Sequence, residues 1–589
     1  MIEPRIYRAA FVPALLALVL AMFSLESRPR PLVQSLAADV VFDGSQAVAA
    51  ARTVLGAADD RRAGTRGNRA AADLVAASFG RRGFDVERDA FEHGDQQLVN
   101  VLARRAGESR REVVVVAARD ATGVPDAAGS AADTAALLEV ARVFEGRPSS
   151  KTLVLASVDG EHLGQVGARR LVDEIERPEM VDGVVVLSGF GTPRKTPAEV
   201  VGWSTDTRRA GLGLARTIAD SLWQEAGSAG PTASTLGQLA RLAFPLGVGP
   251  QATLVAEGYD AVRIAGGGEL PPDGSLTIGE IDRERFGELG RATLRTLTAL
   301  DSGGRPERGP PTYITAVSQV LPGWVLALLS FTLVLPALVA SIDAFARARR
   351  RRESLGGWLA WLGAGVLPFV AALGLAHALA LTGLIDDRPA APVAAALHPF
   401  DLAAGVTLAL VGVTAALAWV ALRFLVLRTD PELADPSAPG AAVSVALVLS
   451  VSALALWALN PFAALLLVPA LHLWVLVTLT EPTLPRPVRL AMVLGGLLLP
   501  ALLALYVVLW TSVDPLSALW FVLLMVVGGQ LGLAQSLIGC VLAGVGCAVV
   551  SIARRDGDSP AAPGPSVRGP GTYAGPGSLG GTGSALPRR

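Results

Sequence analysis

The sequence predicts an α/β sandwich with a largely parallel core sheet, joined to an α-helical transmembrane bundle. Three observations carry this. Between residues 38 and 302, short β-branched runs alternate with helical periodicities, the pattern of parallel-sheet proteins. From 320 to 552 the chain is a succession of apolar runs long enough to cross a bilayer. The 589 residues are 51% hydrophobic and 17% charged, with a mean hydropathy of +0.46, too apolar for a soluble protein alone.

Residues 1–8 carry Arg5 and Arg8 and precede an apolar run at 9–25 of about the minimum spanning length. No small-x-small cleavage pattern follows, so the run reads as a transmembrane signal anchor, not a cleaved leader. The basic start favours a cytoplasmic N-terminus. That places the α/β region at 38–302 outside, with the plasma membrane as the expected location. Residues 303–319 read as a linker. Spans are expected at 320–343, 356–381, 402–425, 441–459, 461–480, 488–511 and 516–533, with a further apolar run at 534–552. The cluster Arg347, Arg349, Arg350, Arg351 and Arg352 marks a cytoplasmic end, and Arg423, Arg428, Arg486 and Arg489 fall on the same side. Gly528, Gly529, Gln530 and Gln535 interrupt the last stretch, leaving seven or eight C-terminal spans. Nine spans in all put Arg554 and Arg555 outside; eight and a re-entrant piece keep them inside. The Gly/Pro/Ser-rich tail at 556–589 is expected to be disordered.

The net charge of −1 carries no bias toward nucleic acid. The two cysteines, Cys540 and Cys547, lie in the membrane half, so the outer region has no disulfide framework. His377 and His472 sit in apolar runs and are functional candidates by position, but no Asp or Glu lies mid-span. A transporter with an accessory external domain is the least favoured reading.

Within 38–302 the elements follow in order. Gly64–Gly83 has helical spacing and ends on glycine. Leu98–Leu102, Glu112–Ala118, Thr152–Val158, Gly183–Leu187 and Ala261–Ile264 read as buried strands. Helices are expected at Ala131–Phe144, Gln165–Ile175, Arg208–Glu225 and Ile281–Leu300. Ser130 and Asp133 read as a helix capping box. The strand at Thr152–Val158 runs into the acidic turn Asp159-Gly160-Glu161-His162, a carboxylate at the end of a strand where open α/β sheets place their sites.

That turn resembles the strand-and-glutamate motif of the M28 family of zinc aminopeptidases. Collinear similarities extend over residues 64–267. They are Gly64-Thr65 with Gly67-Asn68, Asn100-Val101, Leu137-Leu138-Glu139 with Ala141, Gly164 with Gly167, and Gly258-Tyr259-Asp260-Ala261. The resemblance implies a three-layer sandwich with a largely parallel mixed sheet, a general base at Glu161 and an aspartate at Asp120 that orients a ligand histidine. It also implies zinc ligands at Ala118, Gly129, His162, Ser188 and Gln251. Of these only His162 has ligand chemistry, and it replaces a glutamate. A zinc pair needs three or four protein ligands for each metal, so no cofactor is expected. Asp126 and Asp133 lie near the missing bridging position, and Arg119 beside Asp120 is expected to form an ion pair filling part of that site. The expected function is a degenerate, pseudopeptidase-like binding or scaffolding module for a peptide, a lipid-linked ligand or a membrane protein partner. The alternative is an active metallo-aminopeptidase with an altered zinc site. The layout of anchor, M28-like domain and bundle is similar to the large subunit of the glycosylphosphatidylinositol transamidase and to multi-span M28 peptidases.

Overall fold

Uninterrupted apolar runs such as Val113–Ala117 and Val184–Leu187, buried along their whole length, are the mark of strands covered on both faces. In the computed structural model these runs form the centre of a seven-stranded sheet. The structure describes residues 3–33, 41–195, 197–231, 233–385, 399–436, 438–480 and 484–554. The expected domain start at 38–40 and the expected disordered tail at 556–589 lie outside the described residues.

A short first strand, β1 (Glu26–Ser27), lies apart from the main sheet. The main sheet holds β2 (Asp85–His93), β3 (Gln96–Arg105), β4 (Ser109–Ala118), β5 (Lys151–Val158), β6 (Val181–Ser188), β7 (Glu199–Val201) and β8 (Ala261–Ala265). Their order is β2-β3-β5-β4-β6-β8-β7. The four inner strands β5, β4, β6 and β8 are parallel, and β2, β3 and β7 pair antiparallel at the edges. The sequence reading lacks β2 and β7. β2 carries no fully buried residue and β7 is three residues long, so neither leaves an apolar signature.

The helices of this domain are α3 (Gly44–Ala57), α4 (Arg66–Arg81), α5 (Ala132–Val143), α6 (Val166–Glu174), α7 (Leu212–Ala226), α8 (Thr235–Ala243), α9 (Pro250–Ala256) and α10 (Arg283–Ser302). From β4 the chain steps to β5 on one side, then returns past β4 to β6 on the other. Right-handed crossovers therefore send α5 and α6 to opposite faces. That reversal opens a crevice at the carboxyl ends of the strands, beside β4.

The membrane half begins with α1 (Pro4–Ala9) and α2 (Val12–Phe23), which together form one span-length unit. It continues through α11 (Gly323–Arg350), α12 (Leu355–Leu381), α13 (Leu402–Thr429), α14 (Pro439–Leu459), α15 (Pro461–Leu479), α16 (Arg486–Thr511), α17 (Pro515–Val527) and α18 (Leu533–Ala553). Among the described residues, eight helices are long and apolar enough to cross a membrane. The expected span at 516–533 is corrected. α17 has 13 residues, about 20 Å of helix against a hydrocarbon core of about 30 Å. It stops at Gly528, and Gly529 has a positive φ of 78°, a turn that favours glycine. Both ends of α17 face the α/β domain, since Pro515 lies with Phe244 and Gly528 with Gly247. α18 then runs the length of the bundle. Its end at Ile552 and Ala553 packs with Ala344, Ala348 and Trp358, beside the arginine cluster, so Arg554 shares that end.

The expected linker contains β9 (Tyr313–Ala316) and leads into β10 (Gln319–Pro322). With β1 these strands make a small antiparallel sheet that ties the anchor helix to the entrance of α11. The domain docks on the bundle through Asn460. Its Oδ1 caps α15 by accepting from Phe462 N and Ala463 N, and its Nδ2 donates to Leu242 O at 3.0 Å and Ala243 O at 3.1 Å. Arg241 pairs with Glu269 and stacks between Trp203 and Trp510, at 4.9 and 4.3 Å from their ring centres. His472 is structural: Tyr7 lies 2.7 Å from its Nδ1 and Leu333 O lies 2.9 Å from Nε2, so it clasps α1 to α11 and α15.

Candidate functional site

The site grows from the ends of the parallel strands. β5 ends at Val158, and its turn is set by Gly160, whose φ is 70°. A Cβ there would collide with Val166 and Leu98. The turn splits its two acids. Asp159 goes to the β3 side, accepting from Val99 N at 3.1 Å and from Asn68 Nδ2. Glu161 goes into a crevice of about 60 Å³, room for a few waters at about 10–15 Å³ each.

The structure brings Ala118, Asp120, Gly129, Glu161, His162 and Ser188 to this crevice, with Asp126, Asp133 and Arg263. It does not bring Gln251 there. That side chain is fully buried at the start of α9, with Nε2 donating to Val248 O at 2.6 Å. His162 is half-buried, and its backbone N–H donates to Asp120 Oδ2 at 3.0 Å.

Two sequence expectations are corrected. Ser130 and Asp133 do not form a capping box. A π-helical turn at Ala127–Ala131 precedes α5, and Asp126 caps it by accepting from Ser130 N at 3.1 Å. Such turns recur at functional sites. Asp133 instead reaches across to the turn just after β6, accepting from Gly189 N at 3.0 Å and Phe190 N at 2.9 Å. Nor does Arg119 fill the crevice. Successive strand residues point to opposite faces, and Arg119 pairs with Asp159 at 3.2 Å, away from the cavity.

The cation in the crevice is Arg263, which the sequence reading passed over. It stands in the middle of Ala261-Val262-Arg263-Ile264-Ala265, a strand buried throughout. A lone charge in such a run was the available signal, because buried charges are rare unless they answer other charges. Its Nη2 donates to Glu269 O, and Glu269, Glu161, Asp133 and Glu199 all act on it electrostatically. Burial pulls its guanidinium below its usual range.

The acids respond to the same burial. Glu161 is pushed well above the usual glutamate range by desolvation, then by the charge of Asp120, with Arg263 and Arg169 opposing. Asp133 is also pushed well up by burial, against the N–H donors of Phe190 and Gly189 just after β6. Asp126 is raised for the same first reason. Both oxygens of Glu161, and one each of Asp120 and Asp126, have no partner among the described residues. Burial and the Asp120 charge thus favour the protonated form of Glu161 over the carboxylate that a general base needs.

Zinc does not fit these residues. One imidazole is present and Arg263 shares its crevice. No group of three His, Cys, Asp or Glu among the described residues is placed to hold a metal ion, whereas such sites take three or four ligands. What the arrangement offers is one buried guanidinium, Arg263, among the acids Glu161, Asp133 and Asp126, whose protonated forms burial favours, able to hydrogen-bond a small polar group.

Residues 100–234 match the model of Peptidase family M28. The α/β domain is an M28 peptidase-like domain, and its mixed, largely parallel sheet is the one the resemblance implies. Among solved structures, a zinc aminopeptidase from Bacillus subtilis aligns at 14% identity, over 46% of this chain and 100% of that one, with a TM-score of 0.37. A glutaminyl cyclase from an Acidobacteriales bacterium aligns at 15% identity over 46% and 99%, with a TM-score of 0.36. One from Porphyromonas gingivalis aligns at 14% over 44% and 98%, with a TM-score of 0.34. No curated protein sequence matches the chain.

Proposed function

We propose that the M28-like domain is a catalytically degenerate binding or scaffolding module, held on the outer face of the plasma membrane by its bundle. It engages a peptide, a lipid-linked ligand or a membrane protein partner without hydrolysing it. One observation supports this above the others: Arg263 lines the crevice at the strand ends, beside Glu161 and Asp133, acids that burial pushes well above their usual range. Ala118, Gly129 and Ser188 line the same crevice and bring no metal-ligating side chain to it. The arginine clusters on one side of the spans support the orientation.

A second reading, an altered metallo-aminopeptidase, draws support from Asp126. Its carboxylate occupies the space a side chain at Gly129 would need, so an acid is supplied there from another position. The two readings separate in one assay. Full-length protein is incubated with added zinc and a panel of aminoacyl chromogenic substrates and N-terminal glutaminyl peptides. The binding-module reading expects no chelator-sensitive turnover; turnover abolished by chelator and by Glu161→Gln overturns it.

A further inference from the structure

Two further cavities lie where the M28-like domain meets the bundle, and they share one loop. On one side of the loop, Phe244 roofs an apolar groove of about 470 Å³ between α16 and α17, walled by Ala504, Val508, Ala518 and Met525. On the other side, Pro245, Leu246 and Gly247 line a polar chamber of about 290 Å³, completed by Arg169, Glu257 and the Gly528–Gln530 turn. α17 connects the two, since Met525 lies in the groove and Gly528 in the chamber. Gln165 lines both the chamber and the Arg263 crevice.

The groove has the dimensions of one lipid chain. Its α16 wall runs from Pro500 to Thr511, about 17 Å at ~1.5 Å per residue. That is roughly half of a ~30 Å hydrocarbon core, the depth of one leaflet. Because α17 stops short and returns to the domain side, the groove ends at the domain and not at the far face. The chamber supplies the other half of an amphiphile's recognition. Arg169 is exposed, and its guanidinium has no ion pair among the described residues. A planar fork of N–H donors suits phosphate oxygens, and the turn at Gly529 and Gln530 adds polar groups beside it.

We propose that this pair of cavities binds a single phosphate-headed lipid from the leaflet facing the domain, with one chain in the α16–α17 groove and the phosphate at Arg169. The inference rests on the binding-module reading and deepens it, because the seated head group lies next to Gln165 and the mouth of the Arg263 crevice. Lipid covering the outside of the bundle does not account for the chamber: an apolar wall attracts any acyl chain, whereas an adjoining polar chamber lined by Arg169 selects by head group.

The test uses full-length protein in phosphatidylcholine vesicles doped with a photoreactive-acyl phosphatidic acid or, separately, the matching diacylglycerol. Adducts are mapped by mass spectrometry. Phosphatidic acid is expected to label the groove walls on α16 and α17 about tenfold more than α13, and about tenfold more than diacylglycerol does, the size of one charged hydrogen bond. Ala504→Trp, which fills the groove, lowers that labelling, and Ala518→Trp does so from the opposite wall. Leu505→Trp, outside the groove, leaves it unchanged. Arg169→Ala removes the head-group preference. Labelling spread evenly over α13 and α16, insensitivity to both filling variants, or an unchanged preference in Arg169→Ala overturns the proposal. Zinc-dependent peptidase activity in the same preparation overturns the binding-module reading and leaves the labelling result standing.

Discussion

Replacing Arg119 with methionine tests the division of charges at the end of β5. The guanidinium is fully buried. It donates to Asn68 Oδ1 at 2.9 Å, to Ser157 O and Oγ at 3.2 Å, and to Val99 O, and it pairs with Asp159 at 3.2 Å. Methionine retains much of the packing and none of the donors. Asp159 is left in the interior with Asn68 and Val99 N as its partners. Removing one member of a buried pair costs about 3–5 kcal/mol, and each orphaned buried acceptor about 1–3 kcal/mol. These overlap, since the groups share one network, so the expected loss is about 4 kcal/mol. At ~2–4 °C per kcal/mol for a domain of this size, melting falls by about 10 °C. The assay is protease resistance of the M28-like domain in the full-length protein as temperature rises. Adding Asp159→Asn removes the stranded charge, so the double variant recovers about 1–3 kcal/mol relative to the sum of the singles. A melting shift under about 2 °C for Arg119→Met, or strict additivity in the double variant, refutes the buried network.

Asp260 is held at about 6, against an ordinary 3.8, by burial, with Gly211 N opposing. An acid raised in the folded state contributes stability below pH 3.8 that is lost as pH rises through about 6, roughly 3 kcal/mol in all. Asp260→Asn should therefore flatten the fall in melting temperature between those values, and an unchanged slope contradicts the assignment. Burial raises Glu161 above the usual glutamate range, so its folded-state stabilisation is present at low pH and is lost as pH rises through the raised range. Glu161→Gln, a near-isosteric amide with no charge to bury, removes that fall; wild-type and variant stability curves that run parallel with pH contradict the upward shift. Asn460→Ala strips the cap of α15 and orphans two buried carbonyls on α8, together about 3 kcal/mol. Hydrogen exchange should quicken at the end of α8 and the start of α15 while β4–β6 stay protected; unchanged exchange at both places contradicts a docking role.

The sheet was readable where burial is two-sided. Val113–Ala117 and Val184–Leu187 announce themselves because every residue is apolar, while β2 and β7, paired at the edges, need no such pattern and were missed. Ala118, Asp120, Gly129, Glu161, His162 and Ser188, aligned on the family motif, do meet at one crevice, whereas Gln251 does not. The electrostatics of that crevice were not readable. Arg119 lies one residue past the end of β4 and Arg263 in the middle of β8, and only the three-dimensional register turns one to Asp159 and the other toward Glu161. Asp133 looked like a local cap because its true partners, Gly189 and Phe190, lie more than fifty residues along the chain. In the bundle, length alone separates α17 from a span, and its Gly528-Gly529 stop was visible without saying which flanking piece was short.

The central claim is that Arg263 and buried acids shifted upward by desolvation stand where the family resemblance implies a zinc pair. Metal analysis of the full-length protein, purified without chelator and then equilibrated with zinc and desalted, tests it most directly. The account predicts zinc far below one equivalent per chain, unchanged by Glu161→Gln. One or more equivalents retained through desalting, and lost in Asp126→Asn or in a His162→Ala variant, would contradict it.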